Sequence, residues 1–463
     1  MLKYCILALG AAFAARLNAQ STMSCAASAA APAAIRAESL ADQVSDIVIT
    51  CTGGTPAAAG ASVAQYQVLV ISDAPLATRT FIPVVTTPTV PDPNAPLPSV
   101  LYWTEALLLV DEPAQSSQIP CVPADGSGVC AITAGDASAP NVFQAQRLQD
   151  NMLVFPKIPI DAPGPGKSRT IRITNLRVDG TKVSKDSLQT TLQAQIFDRS
   201  GNLLSLTGAS QVAAVVNPGY KFSIRTAADS DPGVGPGLLV TPTMLPQSTP
   251  GTSVAFHVKF SEGFPSAFKR RNLGTNSLDP TFLVSQADPV GPSNTETGFY
   301  NSAFPQTNNL NTAGLADSGT RLRLVLTDIP DNVFLEVSAR DVSVGTTGYS
   351  DAAPRALLTY ADDNGGGSFS QNHPGVNGLF SVVQVYAGTV TLTWEVVAAD
   401  PNKIEDYSFE IRLFSPNGVA KLGTAMAHGT VGPIYPGVTT APSGTPTVMP
   451  VPAFTDSTAD PVP

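Results

Sequence analysis

The chain has 463 residues, of which 13% are charged, with 36 acidic side chains against 26 basic ones and a formal net charge of −10. At ~150 residues per domain that length suggests two to four domains. Sparse, acidic charge excludes a nucleic-acid-binding surface, which needs a clustered basic face, and excludes attachment to anionic lipid by charge.

Residues 1–19 read as a cleavable secretory leader. Lys3 supplies the positive start, Tyr4 to Ala15 is the apolar run, and Leu17-Asn18-Ala19 places a small residue before a cut ahead of Gln20. The apolar run is too short to span a bilayer as a helix, and no later stretch reaches the ~18 apolar residues such a helix needs. Cys25 follows Thr22-Met23-Ser24, a poor match to a lipoprotein cut site. A soluble, exported mature chain is expected.

The cysteines fit that compartment. Cys5 leaves with the leader, and Cys25, Cys51, Cys121 and Cys130 remain, an even number suited to disulfides. Four cysteines allow three pairings, and locality favours Cys25–Cys51 and Cys121–Cys130. A zinc site is the rival reading. It lacks any C-x-x-C pair, and His257, His373 and His428 are far away in sequence.

Beyond the leader, Ala37, Leu40, Ala41 and Val44 have the spacing of one short helix ahead of a strand at Ile47-Val48-Ile49. Helical periodicity then disappears. Gly164-Pro165-Gly166-Lys167-Ser168 imitates the end of a phosphate-binding loop. Asp161 stands where that loop needs its first glycine, and Pro163 and Pro165 lack the N–H groups that would cradle phosphate. The segment is read instead as a turn feeding a strand over Arg169 to Val178. Ile171 and Ile173 are in step there while Leu176 and Val178 are one position out, so a bulge or bend is expected near Thr174-Asn175. Asp198-Arg199-Ser200-Gly201-Asn202 separates Leu192–Phe197 from Leu203–Leu206 as a hairpin.

Residues 229–251 carry nine prolines and glycines, which sustain neither a helix nor a central strand. They are read as a connection between a first domain, 20–228, and a second, 252–435. In the second, Arg321 to Leu326 sets leucines on one face and arginines on the other. Asp328-Ile329-Pro330-Asp331-Asn332 should fold it back as a hairpin onto Val333 to Val337. Val390, Leu392, Trp394 and Val396 alternate with polar residues, as do Tyr407, Phe409, Ile411 and Leu413. Strict period-2 alternation means one buried and one wet face, the habit of antiparallel sheets. The fold class expected is all-β: two antiparallel, immunoglobulin-like β-sandwich domains. An extended tail rich in Pro and Thr occupies 436–463.

Chemistry-bearing patterns are few. There is no G-x-S-x-G elbow and no H-E-x-x-H, and no catalytic residue or cofactor is expected. His257 lies opposite Phe256, Val258 and Phe260 on a strand, and His373 and His428 lie in turn-like sequence. Glu395, Glu405, Asp406 and Glu410 cluster in sequence, which raises the paired carboxylates of a glycosidase. Glu395 and Glu410 occupy outward strand positions, so solvated charge is the preferred reading. Asp362, Asp363 and Asn364, like Asp229 and Asp231, offer hard oxygen ligands for calcium. Tyr360 occupies the first ligand position of the loop pattern, and turn chemistry is preferred. Lys269-Arg270-Arg271 is read as a solvated loop.

Three groups of stretches carry a resemblance: Asp46-Ile47-Val48-Ile49-Thr50-Cys51-Thr52-Gly53-Gly54-Thr55-Pro56; Pro140-Asn141-Val142-Phe143-Gln144 with Arg169 to Asn175; and Thr297-Gly298-Phe299-Tyr300-Asn301 with Gly314 to Arg321. Together they resemble a family of secreted, β-rich proteins of Gram-negative soil bacteria. The resemblance implies export and β-rich folding. No activity attaches to that family, so it assigns no functional residue.

The expectation is a non-enzymatic, extracellular or cell-surface structural protein, a subunit of a fibre, surface layer or matrix. It would self-associate through edge strands or the C-terminal tail. The alternative is a carbohydrate- or surface-binding adhesion module, with Phe414 and Tyr300 as candidate aromatics and a surface glycan as partner. A hydrolase with a sparse site is a third class.

Overall fold

The computed structural model describes residues 23–29, 31–39, 41–78, 80–85, 100–122, 128–226, 254–269, 319–330, 333–342, 355–358, 380–396, 399–400, 402–415 and 426–434. The expected leader, the 229–251 connection and the 436–463 tail lie outside them. The described chain is nearly all β, with two single-turn 3-10 segments.

Strands β1 (Ser24–Ala29), β2 (Ala33–Arg36), β3 (Asp42–Gln43), β4 (Ile47–Gly53), β5 (Gln65–Ser72), β6 (Thr80–Val85), β7 (Val100–Val110), β8 (Val142–Gln149), β9 (Met152–Pro159), β10 (Gly164–Thr174), β11 (Arg177–Val178), β12 (Gln189–Phe197), β13 (Leu206–Thr207) and β14 (Ser210–Asn217) form the first unit. Twelve of them make one sheet in the order β13-β1-β4-β10-β7-β8-β9-β5-β12-β14-β2, with β6 beside β7. The β13–β1 and β14–β2 pairings are parallel and the others antiparallel. Inward side chains from along this path, among them Ile49, Ile171, Phe143, Phe155, Val70 and Ile196, share one core. A single sheet meets that requirement only by curling over on itself, which makes the unit sandwich-like.

The sequence period explains the local choices. In β4, Ile47, Ile49 and Cys51 are buried while Thr50 and Thr52 are exposed. In β12, Thr190, Leu192, Ala194 and Ile196 face inward. Each fully buried aliphatic side chain contributes roughly 1.5–3 kcal/mol. The slip after Ile173 is a change of sheet. Strand β10 ends at Thr174, Asn175 takes φ 60°, and β11 pairs with β3 in a separate two-stranded sheet. Asparagine tolerates this left-handed conformation better than most residues.

The short helix expected from Ala37, Leu40, Ala41 and Val44 does not form. Ala37 and Glu38 make a turn after β2, and Asp42 begins β3; Leu40 lies outside the described residues. A helix of two turns is marginal alone. Here the extended path is held by Arg36, whose backbone N–H and guanidinium both donate to the Asp42 carboxylate at 2.7 Å.

The second unit comprises β15 (Tyr220–Thr226), β16 (Val254–Glu262), β17 (Gly319–Thr327), β18 (Phe334–Ser338), β19 (Ala356–Leu358), β20 (Phe380–Gln384), β21 (Val390–Val396), β22 (Asp406–Phe414) and β23 (Met426–Ile434). Two antiparallel sheets, β15-β16-β22-β18-β20 and β19-β21-β17-β23, sandwich a core that includes Trp394, Phe260, Phe409, Leu324 and Ile411. Trp394 stacks on Phe409 at 4.1 Å and donates its indole N–H to the Ser338 carbonyl at 2.9 Å.

The hairpin expected of β17 and β18 does not form. Strand β17 lies in one sheet and β18 in the other, so this connection crosses the sandwich. The Asp198–Asn202 segment does return locally, with Asp198 N–H bonded to the Asn202 carbonyl and Phe197 bridged to Leu203. Strand β15, inside the 20–228 segment of the sequence reading, pairs along its whole length with β16. Sheet membership therefore changes at Pro218-Gly219, ahead of the Pro/Gly-rich connection.

Candidate interaction surfaces

At Pro218-Gly219 the two units meet on a buried polar node. Arg36 and Asp42 are 2.7 Å apart with side chains 5% and 3% exposed. From the second unit, Lys269 Nζ lies 3.6 Å from Asp42 Oδ1, and Thr320 Oγ1 accepts from Arg36 at 3.4 Å. Burial pushes the Asp42 carboxyl up, but the charges of Arg36 and Lys269, with the Arg36 hydrogen bonds, outweigh it. They hold the group far below the usual carboxylate range. Glu38 accepts the Gly219 N–H at 2.9 Å; its pKa is raised because burial outweighs that bond. A Cβ on Gly219 would strike the Arg36 side chain, and one on Gly263 would overlap the Pro218 carbonyl. The pocket lined by Arg36, Glu38, Ser39 and Val431 has a volume of about 10 Å³, room for about one water and far below the ~300–1,000 Å³ of organic-ligand sites. The node fastens the units and leaves little room for a ligand.

A second polar cluster ties three loops of the second unit. Glu262 accepts the Phe268 N–H at 2.7 Å and the Glu405 N–H at 2.9 Å. Burial pushes its pKa up to about 7; the two N–H bonds oppose the rise and the Glu405 carboxylate adds to it. Arg355 donates to Glu405 at 2.9 Å and to Asp341 at 2.6 Å, and lies 4.6 Å over the Tyr407 ring. Burial, reinforced by the Glu405 carboxylate, raises the Tyr407 phenol well above its usual range. Each of these carboxylates is answered by a donor, the arrangement of a structural tie.

The sequence candidates are dispersed. Glu395 is buried rather than solvated, 3.0 Å from an equally buried Arg321. The arginine face of β17 is therefore not wet at Arg321, because the polar side of that sheet is covered there too. Glu410 is half-buried and paired with Arg412 at 2.8 Å. Glu405 sits in the loop before β22 and accepts from Arg355 at 2.9 Å, and Asp406 pairs with Lys259 at 2.7 Å, so each of the four carboxylates faces a basic side chain. Phe414 is 4% exposed and stacked on Phe334, which withdraws it as a sugar platform. His257 is a half-buried residue of β16, and His428 is exposed on β23 rather than in a turn. Gly164 to Ser168 begins β10, and its register against β4 shifts there. Asp362, Asp363, Asn364, Asp229, Asp231, Tyr300 and His373 lie outside the described residues. Among the described residues, no group of three or more His, Cys, Asp or Glu is arranged to hold a metal. Nor is any helix long and apolar enough to cross a membrane.

The cysteines are joined as Cys25–Cys51 and Cys121–Cys130. The first bond staples register partners on β1 and β4. The second closes a loop whose Gly128 packs against Trp103, where a Cβ would overlap the indole.

Sequence reading missed one exposed feature. Strand β20 pairs with β18 and, among the described residues, with no other strand. It carries Val382 at 58% exposure, and Tyr386 follows at 71%. The signal was Phe380-Ser381-Val382-Val383-Gln384, a short β-prone run after a polar stretch.

No protein-family model and no curated protein matches the sequence. Solved structures similar to it include one described as "BspA_C_WT", at 9% identity, covering 86% of this chain and 92% of that one with a TM-score of 0.26. The Streptococcus agalactiae AgI/II polypeptide BspA C terminal domain is similar at 8% identity over 88% and 95% of the two chains, with a TM-score of 0.27. A biofilm associated protein B domain is similar at 8% identity over 88% and 81%, with a TM-score of 0.17. Scores of this size leave function to be read from the chain's own residues.

Proposed function

We propose that this is a non-enzymatic structural protein of the cell exterior, a subunit that assembles into a fibre, surface layer or matrix. The observation that carries the reading is the build of the described chain. Two β cores, one stapled by two disulfides, are fastened by the buried Arg36–Asp42 node, and among the described residues no strand covers the outer edge of β20. Disulfides persist in oxidising compartments, and the leader-like residues 1–19 agree with export. An open strand edge is a ready site for another chain to extend the sheet. Electron microscopy and sedimentation of native protein test this: filaments or layers support it, and monodisperse monomers at all concentrations overturn it. A carbohydrate- or surface-binding role is the second reading, favoured by the exposed ring of Tyr386, which follows β20 in the chain. Glycan binding lost in Tyr386→Ala, from a monomeric protein, would put it first.

A further inference from the structure

The assembly reading needs an acceptor and a donor, and the chain supplies a candidate for each. On one flank of the second sandwich, β15 and β23 close on each other. The Tyr220 hydroxyl donates to the Gly429 carbonyl at 3.3 Å, and Gly429 packs against the Phe222 ring with no space for a Cβ. On the opposite flank, β19 is occupied by the preceding segment: Leu358 N–H bonds to the Ala339 carbonyl and Asp341 N–H to the Ala356 carbonyl. That leaves β20, which among the described residues pairs with β18 alone and whose Val382 is exposed. Edges in the first unit are less suited to pairing. Strand β13 has two residues and β2 four, and β6 carries Pro83. Short and proline-bearing edges resist pairing.

The donor follows from proline parity. Between residues 445 and 454, Thr-Pro-Thr-Val-Met-Pro-Val-Pro-Ala-Phe, the prolines fall at 446, 450 and 452, all even positions. In an extended strand, the backbone groups of alternate residues point to the same edge. The even edge thus lacks N–H groups at three places. The odd edge, with Thr445, Thr447, Met449, Val451 and Ala453, keeps every one. Such a strand pairs on one side only, as an outermost strand must.

We propose that residues 445–454 of one copy add as a one-sided strand to the β20 edge of a second copy; this rests on the assembly reading above. The tail follows β23 on the closed flank, whereas β20 lies on the opposite one. A donor and an acceptor on opposite flanks make a head-to-tail contact, which propagates rather than closing into a two-fold dimer.

Parity supplies a test that does not disturb either core. Val451→Pro removes a donor from the bonding edge, and Val448→Pro removes one from the edge already interrupted. Sedimentation of the mature chain should show assembly abolished by Val451→Pro and by deletion of 445–463, and retained in Val448→Pro. Assembly that needs the tail but responds equally to both prolines overturns the strand inference and leaves the assembly reading standing. An intact protein that is monomeric with or without its tail overturns both. For the acceptor, a synthetic 445–454 peptide added to tail-less protein should slow amide exchange at Phe380–Gln384 at least tenfold. Protection elsewhere, or none, refutes β20 as acceptor. Protection of those amides in an intact monomer, lost on truncation, refutes the second copy in favour of self-packing.

Discussion

Replacing Trp394 with alanine should be the most costly single truncation in the second sandwich. The side chain is fully buried, stacked on Phe409 at 4.1 Å, and its indole N–H satisfies the Ser338 carbonyl at 2.9 Å. Truncating a buried aromatic costs ~3–5 kcal/mol from lost transfer energy and the cavity left behind. The abandoned Ser338 carbonyl adds ~1–3 kcal/mol if water cannot reach it. Trp394→Phe separates the two effects: it refills most of the cavity and should cost about 1–3 kcal/mol. The chain has two tryptophans, Trp103 in the first unit and Trp394 in the second. Urea unfolding of Trp103→Phe therefore follows the second unit by fluorescence, while circular dichroism follows both units in Trp394→Ala. The expected result is a large fall in the midpoint of the second unit's transition with little change in slope. A midpoint unchanged within error in Trp394→Ala would show an exposed indole and refute the packing.

Glu395→Ala should destabilise the same unit by ~3–5 kcal/mol, because it leaves Arg321 buried without its carboxylate; the Arg321→Met/Glu395→Leu double variant should recover most of that in thermal melts. Glu262 gives a pH dependence. Its pKa is about 7 in the fold against an ordinary 4.5, so the folded state holds its proton more tightly. The associated stability is complete below pH 4.5 and disappears as pH rises through 7. Melting temperature should therefore decline across that window, and Glu262→Gln should flatten the decline; an equal slope in both proteins would reject burial as its cause. Removing Cys25–Cys51, with 26 residues of separation, should cost ~3.5 kcal/mol on the loop-entropy relation, against ~2.6 kcal/mol for Cys121–Cys130 with a separation of nine. Chemical denaturation of the paired Cys→Ser variants measures both, and non-reduced peptide mapping would contradict the connectivity if Cys51 were linked to Cys121 or Cys130.

Much of the second unit was legible from period-2 runs. Leu322, Leu324 and Leu326, then Leu392, Trp394 and Val396, then Phe409, Ile411 and Leu413 all face the core as their alternation requires. Side-chain direction in a strand is a local property, so a local pattern reveals it. The turn at 328–332 shows the limit of that logic. A turn signal says that the chain reverses and not whether the next strand joins the same sheet or the facing one. The candidate site was less legible. Val382 and Tyr386 are exposed and, among the described residues, no strand pairs with the outer edge of β20; both are facts about neighbours distant in sequence.

The sequence by itself determined the all-β character, the inward face of each alternating strand, the local reversal at Asp198–Asn202 and a pairing of cysteines favoured by proximity. All of these depend on residues close in the chain. Only the tertiary structure decided the fate of the charges. Arg36 with Asp42, Arg177 with Glu105, and Arg321 with Glu395 carry no local mark of burial in the sequence, yet all six are buried. Alternation marks which face is polar, but whether that face meets water or another layer depends on long-range packing. A charge covered by that packing is stable only where the fold brings it a partner.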